Sequence, residues 1–521
     1  MFFLLCLQSE KTFFQKKIET QDKMRLNKHQ QKTLKTLILA AVIAFMLPMI
    51  TRSQQLLTID MAMDIAQENN PTLKRSLVSL EGYQQRLIAE RASLKSRFSL
   101  NLTPIDYSKN RRFDNRLSQW YTNETFSTGG MFQVAQPILW TDGTLSLINT
   151  LGWQDNYSVI GGESNSNRAF SNNLYLQLSQ PLFTYNRRKM ALKQLEYDYE
   201  NANISYALQR LETERQITRQ FYNVYISQSN LQTVMEELAN AEQSYDIIKN
   251  KVESDLAARD ELFQAELNLA TAQSTTDERK VALEDDKDLL KQTLGMSLNE
   301  DIAVIAEINI EPVAVNRQKA IDHGLASRLE LRQREIHSAE LDFQMIQTKA
   351  LNEFKGDVTL SYGLMGDHSN FGRIYDSPTQ NPRIAINFTI PIFDWGEKRA
   401  RIRAQEAIQQ VNSLDYEQDI VGIELNIRQV CRSLENLWTQ ITIAEQNVRN
   451  AQLTYDLNLT RYREGDINGM QISQFQTQLS GKKVAYTQAL INYKIMLLNL
   501  KILSLYDFEK DEDIVPLKSD E

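Results

Sequence analysis

The stretch Leu174-Tyr175-Leu176-Gln177-Leu178-Ser179-Gln180-Pro181-Leu182-Phe183 changes its period partway along. Leu174, Leu176 and Leu178 alternate with Tyr175, Gln177 and Ser179, the period of two that marks a half-buried strand. After Pro181 the punctuation stops. Leu182–Leu294 holds 113 residues without one Gly or Pro, the two residues that most often break helices. At ~1.5 Å per residue, half of that stretch makes a helix ~80 Å long. An ordinary globular helix has only ~11–12 residues. A fold-back near Ser254-Asp255-Leu256 turns it into two antiparallel helices, a coiled-coil hairpin. Phe221, Val224, Leu231, Met235, Leu238 and Tyr245 supply a heptad seam, interrupted by Gln228 and Glu242.

The same programme recurs. Ile384, Ile386, Phe388, Ile390 and Ile392 alternate with smaller or polar residues, the strand ends at Pro391-Ile392-Phe393, and Lys398–Lys510 follows with no Pro and four Gly. Pro391 and Phe393 lie 210 residues after Pro181 and Phe183. That offset also carries Asn240-Ala241 onto Asn450-Ala451, Tyr245-Asp246 onto Tyr455-Asp456, and Gln264 onto Gln474. Such self-similarity reads as an internal repeat. The preceding helices match at a larger offset, with Asp64 and Leu73 placed 258 residues before Asp322 and Leu331. The first half therefore carries 48 extra residues in its strand region. Gln133-Val134-Ala135-Gln136-Pro137 echoes Gln177-Leu178-Ser179-Gln180-Pro181 there.

The expected fold is mainly α with a β-barrel portion, in two repeats of helix, strands and long helical hairpin. The expected boundaries are 54–295 for the first repeat, 296–317 for a connecting segment, 318–507 for the second repeat and 508–521 for a polar tail. Leu57–Ser96 reads as helix interrupted by Asn69-Asn70-Pro71, and Gln318–Ala350 as helix. The strand segments read as ~10 residues long, the length of a transmembrane strand. Ser108–Gly130, Ser164–Asn173 and Asp367–Pro382 read as polar loops.

Residues 1–53 read as a signal peptide. Arg25, Lys28, Lys32 and Lys35 precede the apolar run Leu37–Ile50, and the small residues Thr51 and Ser53 follow. Met24 is an alternative start, and an N-terminal membrane anchor is the alternative role. The formal charge of −8 becomes −14 without these residues, which carry nine Lys/Arg and three Asp/Glu. An acidic body with no basic stripe argues against nucleic acid. Cys6 and Cys431 offer no disulfide once the leader is removed, and four scattered histidines give no metal-ligand spacing. No catalytic constellation or phosphate loop stands out, so no enzyme, cofactor or metal is expected.

Alternating strands have one apolar and one polar face. They fit a soluble sandwich or a membrane barrel. Aromatics near the strand ends (Tyr107, Trp140, Phe393, Trp395) and the export signal favour the barrel. Four to six strands per chain are too few to close one, so several chains must share it.

The chain resembles the TolC-like outer-membrane efflux factors over about Leu57–Tyr506. The resemblance rests on Asn70-Pro71-x-Leu73, on the paired Gln180-Pro181-Leu182-Phe183 and Ile390-Pro391-Ile392-Phe393, on the duplicated hairpins, and on Glu261-Leu262-Phe263-Gln264-Ala265-Glu266. It implies a homotrimer with a shared twelve-stranded barrel in the outer membrane of a Gram-negative bacterium and an α-helical tunnel across the periplasm. It implies a passive exit duct for efflux or type I secretion, docked to a periplasmic adaptor and an inner-membrane pump. A periplasmic or surface coiled-coil scaffold without a pore is the alternative. The resemblance also places adaptor docking at the hairpin turns, on Asp255, Leu256, Gly465 and Asp466. It places a pore constriction on Gln471 and Gln474, where the family has aspartates, with Glu261, Gln264 and Asp466 nearby. Glutamines there predict weaker cation block than an acidic ring. Cys431 is expected to be a packing residue.

Overall fold

The computed structural model describes residues 55–115, 118–160, 163–306, 308, 310–464 and 466–514. The expected leader over 1–53 and Gly465 lie outside the described residues. A small unit pairs β1 (Gln55–Leu57) with β6 (Ile302–Val304) in a two-stranded ribbon, where Leu57 and Ile302 are fully buried.

The main unit begins with α1 (Ile59–Asn69) and α2 (Pro71–Ser93). Asn70 makes the break between them. Its Oδ1 accepts from the N–H groups of Thr72 at 2.8 Å and Leu73 at 2.9 Å, while Pro71 fills the first helical position. Those are the orphan donors of a helix start, and proline has no N–H to leave unpaired. Four strands follow: β2 (Arg97–Asp114), β3 (Gln119–Pro137), β4 (Thr144–Ile160) and β5 (Glu163–Leu182). The first hairpin is α3 (Arg187–Glu253) and α4 (Arg259–Leu294).

The second half runs α5 (Arg317–Ser327), α6 (Leu329–Lys349), β7 (Lys355–His368), a 3-10 turn Phe371–Arg373, β8 (Thr379–Gln380) and β9 (Arg383–Thr389). Its hairpin is α7 (Glu397–Glu464) and α8 (Gly469–Ser504). The 210-residue offset takes the first residues of α3 and α4 onto those of α7 and α8, and the last residue of α4 onto that of α8.

Both halves fasten the C-terminal end of a hairpin to the start of the preceding helix. Asn70 Nδ2 donates to the Thr293 carbonyl at 2.6 Å, and Arg328 Nη1 donates to the Leu503 carbonyl at 3.1 Å. The acceptors are 210 residues apart and the donors 258. Gly295 leaves α4 with φ +74°, and a Cβ there would sit 2.3 Å from the Asn69 carbonyl oxygen. Leu505 takes the equivalent left-handed position after α8 with φ 51°. Beyond it, β10 (Tyr506–Asp507) pairs with β11 (Glu512–Asp513), so the expected polar tail is in part a ribbon. Burial and hydrogen bonds explain this: Tyr506 and Asp507 are both buried, Lys501 Nζ lies 2.8 Å from the Asp507 carboxylate, and Lys319 donates to Tyr506 Oη at 2.6 Å.

A buried core among the described residues joins α5, α7 and α8 through Ile427, Leu434, Tyr493 and Leu500. Cys431 is one of its buried members, and burial pushes its thiol pKa up. The expected heptad seam holds at Phe221 and Val224, which are fully buried, but Met235 is 52% exposed. Leu231, Leu238 and Tyr245 of the same seam are half-buried, so the stripe continues past Met235.

Two other expectations are corrected. The helix read over Gln318–Ala350 is broken at Arg328, whose extended backbone no Gly or Pro marks. Ser108–Gly130 and Ser164–Asn173, read as loops, belong almost entirely to strands, and β2 to β5 have 17 to 20 residues rather than about ten. Past the apolar band both faces are polar, so no hydrophobic period announces the strand. The cross-strand backbone hydrogen bonds continue regardless.

Candidate functional site

One antiparallel sheet runs in the order β2-β3-β4-β5-β7, with β8 and β9 both on the far edge of β7. Directly paired residues share a face. On one face Val134 pairs with Leu147, Leu147 with Leu176, Leu176 with Tyr362, and Leu360 with Ile384. On the other, Ala135 pairs with Ser146, Ser146 with Gln177, and Gln177 with Ser361. The apolar face is the open one. Leu147 is 42% exposed, Leu176 48% and Tyr362 57%, whereas Ser146 is 6% exposed. A water-soluble sandwich would bury those leucines against a second layer. A sheet with its oily side out and its polar side in matches a wall between lipid and water.

Aromatic side chains border that face. Phe126, Trp153, Phe170 and Phe371 form a chain of ring contacts at 5.9, 6.4 and 5.6 Å. Phe183, Phe354 and Phe388 form a second at 5.1 and 5.4 Å. Phe388 lies opposite Gly356 and Phe170 opposite His368. Twelve residue steps at ~3.4 Å, tilted by ~45°, separate the belts by about 29 Å, the thickness of a hydrocarbon core.

The β3–β4 turn is bolted to the start of α3. Asp142 has φ 61° and a side chain only 5% exposed. Its carboxylate takes the Arg187 Nε at 3.0 Å, and Arg188 donates to the Asp142 carbonyl and the Thr144 hydroxyl, each at 2.9 Å. Sequence reading did not single out Asp142. The adjacent Arg187-Arg188 pair, just inside the helix, was the signal of a buried carboxylate nearby.

At the far ends of the hairpins, Asp255 stands in the left-handed conformation with φ 57° between α3 and α4. Aspartate tolerates this region better than most residues. Asp255 and Leu256 donate their N–H groups to the carbonyls of Val252 and Lys251, and Leu256 is 78% exposed. Asp466 is exposed and donates its N–H to the Arg461 carbonyl. A Cβ on Gly469 would meet Ile248 Cδ1 at 3.3 Å, so the two tips pack side by side.

Glu261 and Gln471 are the third residues of α4 and α8 and, like Gln264 and Gln474, are exposed. Their surroundings differ. Gln471 closes a capping box, its N–H donating to Asn468 Oδ1 at 3.0 Å and its Oε1 accepting from the Asn468 N–H at 3.1 Å. Ala258, in the place of Asn468, gives α4 no side-chain cap. Gln264 donates to Asn268 Oδ1 at 3.0 Å. Burial raises the Tyr462 hydroxyl pKa, and the Glu261 charge from the other hairpin pushes it the same way. Sequence reading missed the exposed apolar residues here, Phe263 and Leu267 on one face of α4 and Met470 on α8. Their spacing at i and i+4 was the available signal. Among the described residues no group of three or more His, Cys, Asp or Glu could hold a metal ion.

An inverted sheet of this kind, continuous with two long helical hairpins, defines a membrane β-wall protein with a helical extension. The chain belongs to the outer membrane efflux protein family, whose model matches residues 144–296 and 353–504. It is an outer-membrane protein of TolC-like fold. It is similar to the probable outer membrane lipoprotein SilC of Salmonella typhimurium, 21% identical over 280 residues that are 52% of this chain and 60% of SilC. It is also similar to the probable efflux pump outer membrane protein SepC of Pseudomonas putida, 26% identical over 48% of this chain and 52% of that protein. The matched regions span between about half and three-fifths of these relatives' lengths. Among solved structures, the Campylobacter jejuni CmeC outer membrane channel superposes with a TM-score of 0.65 at 15% identity, over 86% of this chain and 85% of that one.

Proposed function

We propose that this chain is one subunit of a homotrimeric exit duct that carries substrates passively across the outer membrane. An inner-membrane pump supplies the energy, and a periplasmic adaptor joins pump to duct. The observation that carries this reading is the inverted sheet, with exposed leucines outside and serines and glutamines inside. Apolar residues left open on a single copy of α7, among them Val411, Leu414, Val421 and Leu425, fit helix contacts between subunits of a tunnel. The names of SilC and SepC agree with the outer-membrane role.

The adaptor docks at the tips, on Asp255, Leu256, Gly465 and Asp466, and exposed Leu256 and Met470 supply apolar contact. The constriction is formed by Gln474, Gln264 and Glu261. Gln471 contributes as a cap that fixes the start of α8. The test is fractionation and electrophoresis. A heat-modifiable trimer in the outer membrane supports the duct; a soluble periplasmic monomer supports the scaffold. In planar bilayers, strong multivalent-cation block abolished only by Gln471→Ala would overturn the placement of the gate.

A further inference from the structure

The family resemblance implies twelve strands per trimer, four from each chain. Among the described residues this sheet has six substantial strands: β2, β3, β4, β5, β7 and β9. The β2–β3 hairpin carries the same anchoring device as β4–β5. Gln136 Nε2 donates to the Leu94 carbonyl at 3.1 Å and to the Pro137 carbonyl at 2.8 Å. Gln180 Nε2 donates to the Thr141 carbonyl at 2.6 Å and to the Pro181 carbonyl at 2.9 Å. The same side chain, 44 residues on, ties the end of a descending strand to the junction before its hairpin. The hairpin β2–β3 and the hairpin β4–β5 are thus anchored in the same way.

Nothing about the added hairpin resembles a loose flap. Its turn into β4 is held by Asp142, Arg187 and Arg188. Its apolar residues continue the outer face, since Phe98 pairs with Val134 and Leu100 with Phe132. Phe98 and Leu100 are both more than three-fifths exposed.

The sheet has two free edges, β2 on one side and β9 on the other. Unpaired backbone groups are not tolerated in lipid. Six antiparallel strands leave β2 and β9 running in opposite senses, so the β9 of one copy can pair antiparallel with the β2 of the next around a closed ring. The lengths agree. β9 is seven residues, Arg383–Thr389, and the regular part of β2 before its bulge is also seven, Arg97–Thr103. Beyond the bulge, Pro104 and the charges Lys109, Arg111 and Arg112 blunt the edge.

We infer that the free edge of β2 over Arg97–Thr103 binds β9 of a second copy of this chain, and that three copies close an eighteen-stranded barrel. The inference rests on the trimeric duct proposed above. The test is disulfide formation between cysteines on the polar face, in the full chain carrying Cys431→Ala. One set pairs Ser99→Cys or Asn101→Cys on β2 with Ala385→Cys or Asn387→Cys on β9. The other pairs the same β9 positions with Ser146→Cys or Thr150→Cys on β4. Only preparations that reach the outer membrane as heat-modifiable trimers are scored, so a failure of the duct reading shows first and separately. The expected result is conversion of most of the monomer band to linked dimer and trimer by the β2–β9 set alone. Products from the β4–β9 set, or trimers in which the β2–β9 set yields none, overturn the inference and leave β2–β3 outside a twelve-stranded wall.

Discussion

The two helical hairpins of this chain keep their register over 210 residues, while the two strand regions differ in number and length. The first half contributes four strands of 17 to 20 residues, and the second contributes one of 14, one of two and one of seven. The difference follows from what each part has to satisfy. A long helix packed along a partner helix has fixed neighbours over its whole length, so inserting one residue rotates every later side chain by ~100°. An antiparallel sheet accepts a whole hairpin without disturbing the strands on either side, because two added strands restore the direction of the chain.

The largest effect is expected where the β2–β3 hairpin meets α3. Replacing Arg187 and Arg188 by Ala strands the buried Asp142 carboxylate, and removing the partners of a buried charge costs about 3–5 kcal/mol. For the proposed trimer, the expected outcome is loss of most of the heat-modifiable band from the outer-membrane fraction. Next is the joint shared by both halves. Gly295→Ala places a Cβ against the Asn69 carbonyl at a positive φ. It should destabilise by about 2 kcal/mol or more, measured as a lower urea midpoint at unchanged slope.

A comparable effect belongs to the second half alone. Burial of Asp507 favours its neutral form, but the Lys501 hydrogen bond and charge, with the N–H groups of Lys510 and Glu509, outweigh it and leave the carboxyl pKa lowered. Its stabilisation is therefore present above the ordinary carboxylate range and lost as the pH falls through the folded value. Lys501 is shifted upward: burial opposes its charge, but the Asp507 hydrogen bond prevails. Its share is present below the ordinary lysine range and lost as the pH rises through the raised value. Lys501→Met should cost about 2 kcal/mol near neutrality and remove the acid-side dependence that Asp507 supplies. Urea midpoints at pH 7 and pH 3 check both statements.

The tips of the two hairpins differ by less. Asn468→Ala removes a cap worth about 1 kcal/mol. Ala258→Ser, 210 residues earlier, supplies a cap with Glu261 already three residues on, worth a similar amount in the other direction. Amide exchange should speed up in the first turn of α8 in one variant and slow down in the first turn of α4 in the other. Equal protection in both tips of the parent chain would contradict the asymmetry.

Much of this was legible because the relevant signals are periodic or local. Leu174, Leu176 and Leu178 announced a strand, the Gly- and Pro-free run announced the hairpin, and Asp255 was recognisable as a turn residue that can take positive φ. The lengths of β2 to β5 were not legible, since strands beyond the apolar band are polar on both faces and are held by backbone bonds that carry no side-chain signature. The break at Arg328 was hidden for a related reason: an arginine replaces the asparagine cap, and nothing in its identity marks a helix end. At the tips, the family resemblance placed Gln471 at the constriction, but its capping contact was not readable from the chain. Only the structure shows that its amide is turned back onto Asn468.

The joint made by Asn70 in one half and Arg328 in the other bears on how such a fold is inherited. The donors differ in size, charge and reach, yet both seek a main-chain carbonyl at the same place, Thr293 or Leu503. A carbonyl belongs to every residue and no codon change deletes it. Selection on that contact asks only for some donor, from whichever side chain drift provides. Lineages built on such joints can exchange most of their letters and still superpose.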